Sequence, residues 1–234
     1  MPDDEPVATT RSEVVATLAN TVMELRPGHP TRVGIDGWSN AGKTTLADEL
    51  AAEIEATGRQ VVRASFDNFH RKGHRDRSIR GDWTPPRYYD EGYDYAVFRA
   101  WLLDPLGPGG NRRCCTAMLD SFNDVLLPEV WQDLTEDAIV VVDGIFLLHP
   151  ELAAHWEYLI WLDVDIETMV ARARLRDASW VGSPEAVDRR YRQFRQPLSE
   201  YYERLARPTD RMQAIVDNRN LAHPRLVRLA RPSD

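Results

Sequence analysis

Short, nearly continuous apolar runs recur along the chain at 31–35, 61–65, 138–142, 158–162 and 213–217, separated by stretches of helical period. A strand with one wet face alternates apolar and polar positions, so unbroken runs predict strands buried on both faces, in a parallel sheet covered by helices. Ahead of them, Val14, Val15, Leu18, Val22 and Leu25 share one helical face, with Ser12 placed to cap that helix and "RPGHP" to end it. Residues 1–11 read as a disordered lead. The regular spacing fails at 66–137, an insertion rich in Gly, Pro, Arg and aromatic residues, in which one helix is predicted from Tyr95 to Leu103. Loops of such length in a compact domain are usually functional. Beyond the fourth run, "IETMVARARLRD" at 166–177 is helical in period, a Gly-Ser-Pro break follows at 182–184, and a second helix is predicted from Pro184 to Leu205, kinked or divided at Pro197. Arginine-loaded helices joined by such a turn predict a lid at about 172–190.

The length of 234 residues suits one large domain or a domain with a flap. A net charge of −8, from 37 acidic and 29 basic residues, weighs against general nucleic-acid or anionic-membrane binding. The only cysteines, Cys114 and Cys115, are adjacent and poorly placed to bridge, which fits a reducing compartment. "MPDDEP" carries no signal pattern and no apolar run approaches the roughly 18 residues of a membrane span, so a cytoplasmic protein is expected, its oligomeric state left open.

Chemistry enters at Gly37-Trp-Ser-Asn-Ala-Gly42-Lys43-Thr44, a Walker A pattern between a predicted strand and a predicted helix. Gly37 and Gly42 let the backbone bend so that N–H groups along Ser39, Asn40 and Ala41 turn inward around a β-phosphate. Lys43 then brings a flexible charge to the β- and γ-oxygens, the Thr44 hydroxyl is a Mg²⁺ ligand, and Thr45 either touches the α-phosphate or packs. "AIVVVDG" at 138–144 ends an apolar strand in Asp143, the Walker B arrangement, which holds Mg²⁺ or a water bound to it. A phosphate loop alone leaves switches, motors, ATPases and kinases open. The absence of an Asn-Lys-x-Asp segment weighs against a guanine-reading switch. "VVRASFDNFHR" at 61–71 carries Asp67 to the carboxyl edge of the sheet, where ligands of open α/β sheets bind and where a carboxylate can take a proton from an attacking hydroxyl.

"SFDNFH" (65–70), "YYDEGYDYAVF" (88–98), "VVVDGIFLL" (140–148), "WLDVDIETMVARARLRD" (161–177) and "YRQFRQPLSEYYERLARPTDRMQAIVDN" (191–218), in that order behind the phosphate loop, resemble the uridine kinase family. That family belongs with phosphoribulokinase, bacterial-type pantothenate kinase and nicotinamide riboside kinase, and the resemblance spans roughly residues 30–218. It implies an α/β P-loop kinase fold with a five-stranded parallel sheet flanked by helices, forming a single domain over 1–234 with a helical lid and 66–137 as a substrate-binding insertion. It also implies transfer of a phosphoryl group from ATP to a small-molecule hydroxyl, a nucleoside first. On matching positions it makes Asp67 the catalytic base, His70 a substrate-facing residue, Asp90 a ligand of ribose hydroxyls, and Arg172 and Arg176 the lid arginines that reach the phosphates. Arg174 falls off the face those two share. Trp83, Tyr88, Tyr89 and Tyr93 gather near Asp90, either as local core or as aromatic faces to stack on a base or sugar, with Tyr89 the first candidate for stacking.

The chain departs from the family at "AMLDSFND" (117–124), which lacks the Tyr and His that read a pyrimidine and offers Asp120, Phe122 and Asn123 instead. Pantothenate, nicotinamide riboside or a sugar phosphate therefore stay open as acceptors. So does a P-loop NTPase that is a regulatory module and not a kinase.

Overall fold

The computed structural model describes residues 10–230, so 1–9 of the expected disordered lead lie outside the described residues. Thr10 and Arg11 already start the first helix, Arg11–Met23. Its cap is Thr10 and not Ser12: the Thr10 hydroxyl accepts from the Glu13 N–H while the Glu13 carboxylate takes the Thr10 N–H at 2.7 Å. A capping box needs Ser or Thr three residues before Glu, and only Thr10 meets that spacing here.

Each of the five apolar runs forms a strand. Their order, with one more at the edge, is Arg225–Leu229, Ala214–Asp217, Tyr158–Asp163, Thr31–Gly37, Ile139–Asp143, Val61–Ser65, all parallel except the first. The sixth strand, antiparallel to Ala214–Asp217, adds to the expected five-stranded parallel sheet. It escaped the apolar pattern because "RLVRL" lies at the edge and buries only part of Leu226 and Leu229. One face of the sheet packs Leu18, Leu46, Leu50 and Ile54 from the flanking helices, and the other packs Phe66, Phe98, Phe146, Trp161 and Tyr202.

Register sets the site. Ile35 and Ser65 both pair with Asp143, and Gly37 pairs with Leu162, so the P-loop, the turn after Ser65 and Asp143 emerge at one carboxyl edge.

Within the insertion, a tight turn at Phe66–Phe69 leads to short helices at His74–Arg80 and Pro85–Glu91. The expected Tyr95–Leu103 helix is present, α-helical over Tyr95–Phe98 and π-helical over Arg99–Leu103. The two helices on which the lid was expected are Ile166–Val181 and Pro184–Arg190, which share an apolar cluster of Met169, Val170, Ala173, Val187 and Tyr191. The expected break near Pro197 takes the form of a π-turn, Tyr191–Arg195, ahead of the helix Gln196–Ala206. Proline lacks an N–H and crowds the carbonyl four residues back, and the wider π-turn relieves both.

Candidate active site

Strand Thr31–Gly37 and helix Lys43–Glu55 are joined by a loop that only glycine permits at two points. Gly37 has φ 152° and Gly42 φ 99°; a Cβ on the first would stand 2.5 Å from the Leu162 carbonyl oxygen, and on the second 2.7 Å from Asn218 Nδ2. The helix begins with no side-chain cap, so its first N–H groups face the hollow of the loop, a ready anion site. Lys43 Nζ lies over that loop and donates to the carbonyls of Gly37 and Trp38 at 3.0 and 2.9 Å. Asn218, fully buried, donates Nδ2 to Ala41 O at 2.6 Å and props the loop from below.

Asp36, one residue ahead of the loop, is a buried anchor. Its Oδ1 accepts from Gly37 N at 2.7 Å, and its Oδ2 accepts from Leu147 N at 2.9 Å and the Tyr202 hydroxyl at 2.5 Å. Burial pushes its carboxyl up to about 6, against the opposing effects of Tyr202, Lys43 and the two N–H groups. The loop, the 146–148 turn and the helix after the lid are thereby tied to one side chain.

Thr44 Oγ1 donates to Asp143 Oδ2 at 2.7 Å, and Arg63 Nη2 donates to Asp143 Oδ1 at 2.9 Å. Arg63 is itself fixed by Val141 O at 2.7 Å and Asp48 Oδ1 at 2.9 Å. Mg²⁺ in nucleotide sites takes one or two protein oxygens and completes its octahedron with phosphates and water. Thr44 and Asp143 are hard oxygen donors side by side at the foot of the P-loop, so the donor set fits that ion.

Lys43, Thr44, Thr45, Asp67, Asp143, Arg172 and Arg176 line one cavity of about 400 Å³, together with Ser39, Asn40 and Gly42. Ala41 is buried beneath the loop and contributes backbone. A second cavity of about 690 Å³ adjoins it, sharing Asp67, His70, Tyr88, Arg176 and Arg195. Asp67 thus faces both. The Tyr93 hydroxyl donates to its Oδ1 at 3.0 Å. Burial alone would raise the Asp67 carboxyl, but the charges of His70 and Lys43, the Tyr93 hydroxyl and Arg195 together hold it below the ordinary carboxylate value.

His70 is buried between the rings of Tyr93 and His74, each with its centroid 4.0 Å away. It shares one hydrogen bond with Asp67 O at 2.7 Å and another with the Tyr88 hydroxyl at 2.9 Å. Burial lowers its pKa to about 4 despite the pull of Asp67, so the imidazole is neutral at pH 7 and charges only in acid.

The two arginines expected to reach the phosphates differ in their contacts. Arg172 donates to Asn40 O and Ala41 O, both at 3.1 Å, and to Asn218 O at 2.5 Å, which fastens helix Ile166–Val181 to the loop. Arg176 lines both cavities and pairs with Asp177 at 2.7 Å. The Tyr191 hydroxyl donates to Asp177 at 2.6 Å and accepts from Asn40 Nδ2 at 2.9 Å, a second lid-to-loop tie. Arg174 is bound outward to Asp188, as its off-face position implied.

Tyr89 and Asp90 are not brought to the Asp67 cavities. On helix Pro85–Glu91 successive residues stand about 100° apart, so Tyr88 meets the cavity, Tyr89 packs edge-on against Phe146 at 5.0 Å, and Asp90 is exposed. Asp120 and Asn123 build their own turn, with Asp120 Oδ1 accepting from Phe122 N and Asn123 N at 3.0 Å, which leaves Phe122 of that trio on the cavity wall. Asp36, Arg63, Tyr191 and Arg195 were missed as candidate site residues. Asp36 alone had a local signal, a carboxylate at the end of a strand against the first Walker A glycine.

No family model matches the chain. Over 179 residues it is 25% identical to uridine-cytidine kinase B of Dictyostelium discoideum, a stretch that is 74% of this chain and 70% of that protein. Uridine-cytidine kinase A of the same organism is 26% identical over 180 residues, of which this chain spans only 34% of the relative's length. In fold, a possible uridine kinase from Bacillus stearothermophilus matches with TM-score 0.67 at 18% identity, over 86% of this chain and 96% of that one. D-glycerate 3-kinase from Cryptococcus neoformans var. grubii matches with TM-score 0.52 at 12% identity, over 81% and 90%.

Proposed function

We propose that this chain, one of the uridine kinase-like P-loop kinases, transfers the γ-phosphoryl group of ATP to a hydroxyl of a small molecule lying against Asp67. The observation that carries this reading is the Asp67 carboxylate facing both the P-loop cavity and the cavity beside it. Backbone N–H groups of the loop hold the β-phosphate, and Lys43 reaches the β- and γ-oxygens. Thr44 and Asp143 would hold Mg²⁺, which supplies positive charge to the β- and γ-phosphates when bound.

Asp67, kept ionised, takes the proton of the acceptor hydroxyl as its oxygen forms the new bond to phosphorus and the bond to the β-phosphate oxygen breaks. Tyr93 orients the carboxylate through Oδ1. Arg176 faces the charge spread over the transferring group, while Arg172 and Tyr191 keep the lid down and water out. His70 and Tyr88 belong to the acceptor side. The described residues serve as one domain, with 66–137 and the lid helices as its acceptor-binding parts. No helix among the described residues is long and apolar enough to cross a membrane.

A nucleoside is the acceptor the resemblance suggests, and pantothenate, nicotinamide riboside and sugar phosphates complete the panel. ADP release should depend on one of these acceptors and fall ~10²–10⁴-fold in Asp67→Asn, the usual range for loss of a general base. Nucleotide turnover that needs no acceptor and survives Asp67→Asn would instead mark a P-loop hydrolase acting as a regulatory module.

A further inference from the structure

Beyond Asp67 the larger cavity holds more guanidinium than carboxylate. Arg75, Arg176, Arg190 and Arg195 line it against Asp67 and Asp177. Neither carboxylate is spare: Asp67 is held by Tyr93, and Asp177 accepts from Arg176 at 2.7 Å and Tyr191 at 2.6 Å. Arg195 stands between the two cavities, its guanidinium 5.6 Å from the Tyr88 ring centroid and 5.7 Å from that of Phe194. Its Nε is buried with no hydrogen-bond partner. Arg75 lies 4.7 Å over the Phe122 ring in the same cavity.

An arginine stays charged at any working pH, and a buried donor left unpaired costs roughly 1–3 kcal/mol, more when charged. A neutral nucleoside could accept a hydrogen bond there but brings no negative charge to balance the guanidinium. A planar guanidinium matches the oxygens of a phosphate or carboxylate two at a time.

We infer that the acceptor is a hydroxylated oxyanion, a phosphomonoester or a carboxylate, whose charged group is held by Arg195 with Arg75 while its hydroxyl meets Asp67. This rests on the kinase reading and narrows it: the anionic members of the panel, and not the neutral nucleosides, are the substrates. Arg176 remains with the transferring phosphoryl group. Sites built to bind a polar group reject analogues that lack it by large factors, so the preference for the charged acceptor is steep.

The test compares acceptors that differ only in the anionic group: ribose 5-phosphate with ribose, uridine monophosphate with uridine, pantothenate with pantothenol, glycerate with glycerol. The charged member of at least one pair is expected to exceed its neutral partner by ~10²-fold or more in kcat/KM. Which pair responds separates phosphate from carboxylate. At saturating ATP, which fills the phosphate loop, inorganic phosphate should compete with the acceptor. Arg195→Met, which keeps the stacked stem, should raise KM for the charged acceptor by ~10-fold or more with a smaller change in kcat, and Arg195→Lys should restore part of the loss. If Arg195→Met fails to fold, as thermal melting would reveal, Arg75→Met reads the same preference with a smaller rise in KM. Neutral and charged acceptors used equally, or a preference untouched in both variants, would overturn this inference and leave the kinase reading standing. No acceptor-dependent turnover with any pair would remove both.

Discussion

The P-loop side of the cleft takes its shape from the consecutive residues 37–44 and offers backbone N–H groups, whereas the proposed acceptor side gathers side chains from 67–79, 88, 121–122 and 176–195. Their electrostatics differ as well. Burial acts to lower the pKa of Lys43, and Asp36, Asp67 and Asp143 around it work the other way, a cation among carboxylates. The acceptor side sets several arginines around buried, neutral His70. A triphosphate presents the same oxygens to every kinase, so a fixed backbone cradle suffices. Acceptors differ from one another, and only side chains brought from separate segments can tell them apart.

The largest effect should come from the cradle's own charge. Lys43→Ala is expected to lower phosphoryl transfer by ~10³-fold or more, the scale of a lost cation at the transferring phosphates, with far-ultraviolet circular dichroism unchanged. Activity within tenfold of the parent would show that the Lys43 charge is not what holds the transferring phosphates.

On the acceptor side, the buried histidine gives a pH signature. A His whose folded pKa lies at about 4, below the ordinary 6.5, contributes stability that is present above pH 6.5 and lost as pH falls toward 4. The shift corresponds to roughly 3 kcal/mol. Asp36 opposes it: its folded value near 6 stabilises the protein progressively as pH falls through that point, so the two partly cancel in the parent. Urea melts between pH 7 and 4 should therefore show a smaller acid loss in His70→Gln than in the parent, and a larger one in Asp36→Asn. Identical pH slopes in all three proteins would mean that these groups titrate as they do in the unfolded chain.

A smaller effect tests whether the donor side is complete within its own motifs. Arg63→Met leaves Thr44 and Asp143 in place but frees Asp143 Oδ1. Loss of such a supporting contact typically weakens metal affinity ~10–100-fold, so the Mg²⁺ concentration for half-maximal rate should rise by at least ~10-fold while the rate at saturating Mg²⁺ changes little. An unchanged Mg²⁺ requirement would confine Arg63 to holding the sheet edge.

Legibility in the sequence follows the same division. The inner strands were readable because a parallel strand covered on both faces must be apolar throughout, and Arg225–Leu229 was not, because Arg225, Val227 and Arg228 face water and no position in it is fully buried. The capping box at Thr10 and Glu13 was written in the sequence and overlooked in favour of Ser12. Tyr89 and Tyr88 show the limit on the acceptor side: both are aromatic and adjacent, and one helical step sends one into the core and the other to the cavity. No pattern in "RQFRQP" distinguishes Arg195 from Arg192, which pairs outward with Glu167.

The sequence by itself determined the sheet's buried strands, the phosphate loop, and the carboxylates Asp67 and Asp143 at strand ends, because each depends on neighbours a few residues away. Only the tertiary structure decided which arginine faces the acceptor, that Arg63 backs Asp143, and that Asp36 ties the loop to Tyr202 across 166 positions of chain. Those contacts rest on distances in space between segments far apart in sequence, and on rotations about helix axes that composition does not encode.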